Sequence, residues 1–261
     1  MKHYFYIARN IFDMLLVLVI ITMAVHPRPV MQQFVDLQRL YWQDNAVRSV
    51  FAQEKVVALT FDDGPDPRFT PRILAILRRQ HIHATFFMIG RQIEKYPALA
   101  KQVITDGNSI ENHTYSHPDL PLDSRVQVMR ELDHCEQLIE RTTGTHAHLF
   151  RPPLGMLSNT IINQVEHEGY RTILWTVCAD HHDAPTPALM AARVLQHTRP
   201  GTIILLHDGT LSSRWKDVEA TALIITGLQQ QGYHFVTIPE LLALKEKPPA
   251  LVKKKSRQWT I

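Results

Sequence analysis

Cysteine is scarce in this 261-residue chain, which has only Cys135 and Cys178. Two are too few for the disulfide framework of a small secreted domain. One falls in a helical pattern and the other at a strand end, so both read as free thiols. Charge of one sign is also scarce. The 28 Lys and Arg against 25 Asp and Glu leave a net +3, too mild to point to a nucleic-acid partner. No internal repeat or low-complexity tract is present, which excludes solenoid and fibrous architectures. Nor does any apolar run reach the ~20 residues that span a bilayer comfortably. The longest, Ile11 to Val25, follows Lys2, His3 and Arg9 and is broken by "HPRP". A basic start before a short apolar stretch resembles a secretory signal or an uncleaved anchor. No small-x-small cleavage site follows. The expectation is a membrane anchor carrying an extracytoplasmic domain, or a secreted protein if the segment is cut. A buried core helix is the alternative.

What the chain does have is a rhythm. Residues 26–54 form a polar connector. From Val56 onward, β-branched and aromatic runs alternate with stretches of helical period. Strands are expected at Val56–Phe61, Ala84–Ile89, Ser109–Asn112, Leu149–Pro152, Arg171–Val177, Thr202–Leu206 and Phe235–Thr237. Thr70–Pro71 and Thr186–Pro187 read as N-caps followed by a first-turn proline, and Gly107, Gly144 and Gly232 as helix ends. Alternating strands and helices imply a parallel α/β sheet, open or closed as a barrel. The domain runs over 55–244. A basic tail, 245–261, follows with Lys253, Lys254, Lys255 and Arg257, either a solvated end or a contact for anionic phospholipid or cell-wall polymer.

In parallel sheets the chemistry gathers at the C-terminal strand ends. Asp62 and Asp63 end the first run, His113 and His117 follow the third, Arg151 ends the fourth and His207 closes the sixth. Spaced four apart, His113 and His117 would share one face of a helical turn and suit one cation. Asp63 with two imidazoles makes a three-ligand site with open positions, which leaves Asp62 free as a base. The cation would also explain why two repelling carboxylates stand together. Taken alone, the Asp-Asp-Gly-Pro turn could equally be a helix cap. Arg151 could pin a carboxylate bidentately, and His207, after four apolar residues, could titrate from a partly buried position.

"TFDDGP", "HTYSH", "RPPLG" and "LLHDG", in this order, resemble the signature motifs of polysaccharide deacetylases, carbohydrate esterase family 4, whose catalytic region is the NodB-homology domain. The likeness runs from about Val56 to Leu244. It implies a distorted (β/α)7 barrel and metal-dependent removal of N-acetyl groups from amino sugars of peptidoglycan, chitin or related polymers. By motif, Asp62 resembles the general base, Arg151 its orienting residue and His207 the general acid. Asp63, His113 and His117 resemble the metal ligands. Leu154 resembles the backbone donor to an oxyanion, Leu205 a wall of the acetyl pocket, and Pro153 a further substrate-binding position. Zinc is expected, with cobalt or manganese also suited to one carboxylate and two imidazoles. The expected partners are an acetylated glycan and, through the N-terminal helix, a membrane; the protein is expected to be a monomer.

One motif departs. The family pattern Asp-x-x-Asp-Trp falls on "CADHHD", with Cys178, His181 and His182 at the three positions. The carboxylate that should hold His207 charged is thereby displaced, with Asp180 or Asp183 as substitutes. "ADHHD" could also be a second metal site. Two other functions stay open on this sequence: a glycan-binding pseudoenzyme and an O-acetyl esterase.

Overall fold

The computed structural model describes residues 46–120, 124–156 and 158–245. The N-terminal apolar segment and the basic tail lie outside them. Among the described residues no helix is long and apolar enough to cross a membrane. Eight strands form one all-parallel sheet: β1 (Val56–Asp62), β2 (Thr85–Met88), β3 (Ser109–Asn112), β4 (Leu149–Phe150), β5 (Arg171–Thr172), β6 (Val177–Cys178), β7 (Thr202–His207) and β8 (His234–Val236). The order is β5-β4-β3-β2-β1-β7-β6. β8 pairs with the first three residues of β1, and β2 with its last three.

Eight strands stand where seven were expected because the run Arg171–Val177 is interrupted. Arg171–Thr172 pairs with β4 and Val177–Cys178 with β7, so this run crosses from one edge of the curled sheet to the other. Residues 47–50, part of the expected connector, lie across the same gap. Val47 exchanges backbone hydrogen bonds with Thr172 and Leu174, and the Val50 N–H donates to the Gly201 carbonyl.

Helices cover the outside: α1 (Thr70–Gln80), α2 (Gly90–Lys95), α3 (Pro97–Thr105), α4 (Arg125–Thr143), α5 (Asn159–His167), α6 (Pro187–His197), α7 (Trp215–Gln230) and α8 (Ile238–Lys245). β1 is buried along its whole length, as a parallel strand covered on both faces must be. Its alternation divides two cores. Val57, Leu59 and Phe61 join Ile73, Leu74, Ile224 and Ile225 of the covering helices. Val56 and Ala58 point the other way, toward Phe87, Ile203, Ile238 and Leu241. Continuing that period of two, Thr60 and Asp62 face the concave side, and at the strand's end the interior turns polar.

Most helix signals hold. Ser124 caps α4 in a capping box with Gln127, Thr186 caps α6, and Gly144 ends α4 with φ 74°. Thr70 does not cap α1, whose N-cap is Phe69 without a side-chain bond. The Thr70 hydroxyl instead accepts from the Asp66 N–H at 2.8 Å and donates to Asp208 Oδ2 at 2.5 Å. A buried carboxylate outcompeted the helix end for that hydroxyl. Both cysteines are free.

Candidate active site

Every expected site residue except Leu154 is wholly or partly buried at or beside a strand end. Parallel register sets Asp62 opposite His207 on one side and Phe87 on the other. The chain then turns, with Asp63 in the left-handed region at φ 75°. Close approach of two turns explains the glycines of "DDG" and "HDG". A Cβ on Gly209 would stand 2.1 Å from the Asp63 Cβ, and one on Gly64 would stand 2.4 Å from both carboxylate oxygens of Asp208.

His113 and His117 do come together, though not for the expected reason. The segment after β3 is not helical, because Thr114 (φ 68°) and His117 (φ 61°) adopt left-handed backbone. The loop is held from several sides. The Asn112 carboxamide accepts the Thr114 N–H at 2.9 Å, Glu131 of α4 accepts both the N–H and hydroxyl of Ser116, and Gly90 and Arg91 of α2 donate to the Thr114 and Tyr115 carbonyls. Of the five non-glycine residues with positive φ among the described residues, Asp63, Thr114, His117 and Leu154 lie in the segments after β1, β3 and β4, and only His81 ends a helix. Backbone strain concentrates where surroundings over-determine it, and here it surrounds the acid and imidazole side chains.

Asp63 Oδ1 lies 3.4 Å from Nε2 of His113 and 3.4 Å from Nε2 of His117. Two ligands about 2.1 Å from one ion at a tetrahedral angle are ~3.4 Å apart, so Asp63 already stands at a metal-binding separation from each imidazole, and all three donors lie within 4.8 Å of one another. His113 Nδ1 is 2.7 Å from the Arg151 carbonyl. A carbonyl only accepts, so Nδ1 carries a proton, and Nε2 is the nitrogen turned to Asp63. Burial opposes charge on His113, but Asp62 and Asp63 outweigh it and raise its pKa. Burial, followed by the charge of His113, lowers that of His117. Asp63 stays well below the usual carboxylate range despite its burial, chiefly through its hydrogen bond with His113. The shifts of Asp63 and His113 both favour an anionic carboxylate beside positive charge, as two donors of a divalent cation should.

Asp62 is outside this triad and held by Arg151, whose Nη1 donates to Asp62 Oδ1 at 2.7 Å and to Thr60 Oγ1 at 2.8 Å. The other guanidinium nitrogens reach the carbonyls of Leu174 and Ile173 at 3.2 and 3.4 Å, and the group lies 4.0 Å from the Phe87 ring. Arg151 is wholly buried, so the cation is fixed by five neighbours and has no water to turn to.

At His207 the structure resolves the displaced motif. Asp180, not His181, supplies the carboxylate: its Oδ2 is 3.3 Å from His207 Nδ1. The approach is off the line of a hydrogen bond, and Nδ1 has no hydrogen-bond partner among the described residues. Burial works against charge on His207, yet Asp180 outweighs it and raises the pKa, with Arg214 opposing. His181 turns instead to Asp183, which also binds Arg193, and this cluster is exposed. "ADHHD" therefore gathers no metal-ligand group of its own. The two groups able to hold an ion among the described residues are Asp63–His113–His117 and Asp180–His207–Asp217. The second of these also encloses the Arg214 guanidinium.

Three participants escaped the sequence reading. Asp208 is wholly buried behind Gly64, and burial with the charges of Asp63 and Asp62 lifts its pKa to about 7 against the Thr70 hydrogen bond. Asp217 accepts the His207 N–H at 3.1 Å, and Arg214 bonds Asp180. Asp208 follows His207 directly, and that adjacency was the available signal. Arg214 and Asp217 arrive from the α7 N-terminus, which no motif marks. Leu205 is buried beside Thr60 on β7, Pro153 is buried, and Leu154 projects from a left-handed turn (φ 58°) at 67% exposure.

A carboxylate–imidazole–imidazole triad with an unligated, arginine-held carboxylate beside it, at the C-terminal mouth of a parallel sheet, defines a hydrolase suited to a bound divalent ion. The family described as polysaccharide deacetylase matches residues 50–173. A peptidoglycan-N-acetylglucosamine deacetylase of Bacillus cereus is 38% identical over 194 residues, covering 74% of this chain and 90% of that protein. The solved Bc1960 peptidoglycan N-acetylglucosamine deacetylase, bound to a naphthyl N-hydroxybenzamide, has TM-score 0.72 at 31% identity, over 74% of this chain and 91% of that one. A CE4 family pseudoenzyme from Bacillus anthracis has TM-score 0.69 at 30% identity, over 76% and 68%. The chain belongs to the polysaccharide deacetylase family.

Proposed function

We propose that this protein hydrolyses the N-acetyl groups of amino sugars in a polysaccharide, peptidoglycan or a chitin-like polymer. The observation that carries the reading is the division of labour between adjacent aspartates. Asp63 stands 3.4 Å from two imidazoles, and Asp62 is bound by Arg151 at 2.7 Å. A divalent ion, zinc for preference, would be held by Asp63, His113 and His117 and would polarise the acetamide carbonyl.

The chain's own residues account for the proton traffic. Asp62 takes a proton from the water whose oxygen attacks the acetyl carbon. Arg151 holds that carboxylate in place, its Nη1 donating to Oδ1 at 2.7 Å. The Leu154 N–H donates to the oxygen that gains charge, at a few kcal/mol for such a donor. His207 gives its proton to the nitrogen as the C–N bond breaks, so acetate and a free amine leave. Leu205 and Pro153 border the methyl group of the acetyl. We read the sheet as the family's seven-stranded barrel, with β5 and β6 as one interrupted strand. We further propose that the N-terminal apolar segment anchors a monomeric, extracytoplasmic enzyme.

A pseudoenzyme among the similar structures means that likeness of fold does not by itself carry turnover. The assembled side chains support it here. Metal-loaded protein should release acetate from chitooligosaccharide or peptidoglycan, and Asp62→Asn should abolish the release. Bound metal with no acetate from any acetylated glycan would refute the reading in favour of a binding protein; release only from O-acetylated polymers would make it an esterase.

A further inference from the structure

Arg214 sits where the two halves of the site meet. It closes the short 3₁₀ turn Ser212–Arg214 before α7 and is nearly buried. Nη1 bonds Asp180 Oδ2 and lies 3.7 Å from Asp217 Oδ2, while Nη2 lies 3.7 Å from Asp63 Oδ2. Three carboxylates thus face one guanidinium, and Nε has no hydrogen bond among the described residues. Asp180 needs such a hold. It lies two residues past the end of the two-residue strand β6, and its other side-chain partners among the described residues are the Cys178 thiol at 2.9 Å and His207. With Asp217 also in reach of His207, repulsion between like charges would push Asp180 toward solvent if no cation stood between them.

Resting on the deacetylase reading, we propose that Arg214 is a positioning residue for the leaving-group side of the reaction: it fixes Asp180 against His207, so that the imidazole is aimed at the departing nitrogen. It does not act through Asp63, which is farther away and already has two imidazole neighbours at shorter range. Loss of Arg214 should therefore be felt where the leaving group needs a proton. An amine does. The phenolate of 4-nitrophenyl acetate leaves without one.

The test uses the full-length, metal-loaded protein with N-acetylated chitooligosaccharide and 4-nitrophenyl acetate. Arg214→Gln should lower kcat on the amide at least about tenfold more than on the ester, with KM on the amide little changed, a loss in keeping with impaired general-acid help. Arg214→Lys should recover much of it, and Asp180→Asn added to Arg214→Gln should cost little more. Equal losses on both substrates, or none, would overturn the proposal, the first by showing a structural or metal-side role. A second readout does not need turnover. The side-chain nitrogen resonances of His207 should move in Arg214→Gln as they do in Asp180→Asn, and an unmoved spectrum would also overturn it. If the wild type cleaves the ester but no acetamide glycan, the deacetylase reading falls while the resonances still decide the role of Arg214.

Discussion

Arg151→Met should be among the most damaging single substitutions this fold can receive. The side chain is wholly buried, and its guanidinium serves Asp62, Thr60 and the carbonyls of Ile173 and Leu174. Methionine fills much of the volume, so the loss is electrostatic rather than a cavity. Removing one partner of a buried pair typically costs ~3–5 kcal/mol, because the other charge is left without compensation. Against a domain stability of ~5–15 kcal/mol, that is a large fraction. The same substitution in an Asp62→Asn background leaves no naked carboxylate, only oxygens short of a donor at about 1 kcal/mol each. A double-mutant cycle in urea at pH 7, with equal m-values required, should give a coupling energy of ~2 kcal/mol or more. If Arg151→Met loses under about 1 kcal/mol, or the two costs simply add, then the guanidinium does not hold Asp62 as described.

Glu111, on β3 and not one of the reacting groups, offers a second test. Burial raises its pKa from 4.5 to about 8, although the His148 and Leu149 N–H groups both donate to its Oε2. A carboxyl whose folded pKa is raised stabilises fully below pH 4.5 and loses that contribution as pH climbs toward 8. At ~1.4 kcal/mol per unit the fall amounts to a few kcal/mol. Glu111→Gln, which keeps the acceptor, should flatten the stability–pH curve over this range, and curves that stay parallel would refute the assignment. Gly209→Ala should displace Asp63 and sharply weaken metal binding by calorimetry, since its Cβ would meet the Asp63 Cβ at 2.1 Å. His117→Ala should lower metal affinity at least ~10-fold while leaving the melting temperature of the metal-free protein near wild type, because His117 is only partly buried.

The sequence was informative where chemistry sits on regular strands. β3 falls where its apolar pattern put it, and the ends of β1 and β7 shift by one residue, which brings Asp62 and His207 inside them. Asp62, Asp63, Arg151 and His207 follow from that, since the ends of parallel strands point to one mouth. The pairing of His113 with His117 was anticipated from a helical spacing that does not exist; two left-handed residues bring the rings together instead, and no pattern of residue types encodes that. Asp180 was one of two candidates to face His207. The choice between it and Asp183 depends on a turn after a two-residue strand and on Arg214 from another element. Contacts made by α7 against that turn are tertiary, so neither Arg214 nor Asp217 was visible in advance.

The short piece at 47–50 contains none of the reacting groups, yet it stitches the seam where the curled sheet fails to meet itself. A chain trimmed to begin at the first strand, Val56, would keep every motif intact and leave two raw backbone edges facing solvent. Such edges recruit other chains. The folded unit therefore needs residues from Val47 onward, and shorter versions should precipitate rather than merely weaken.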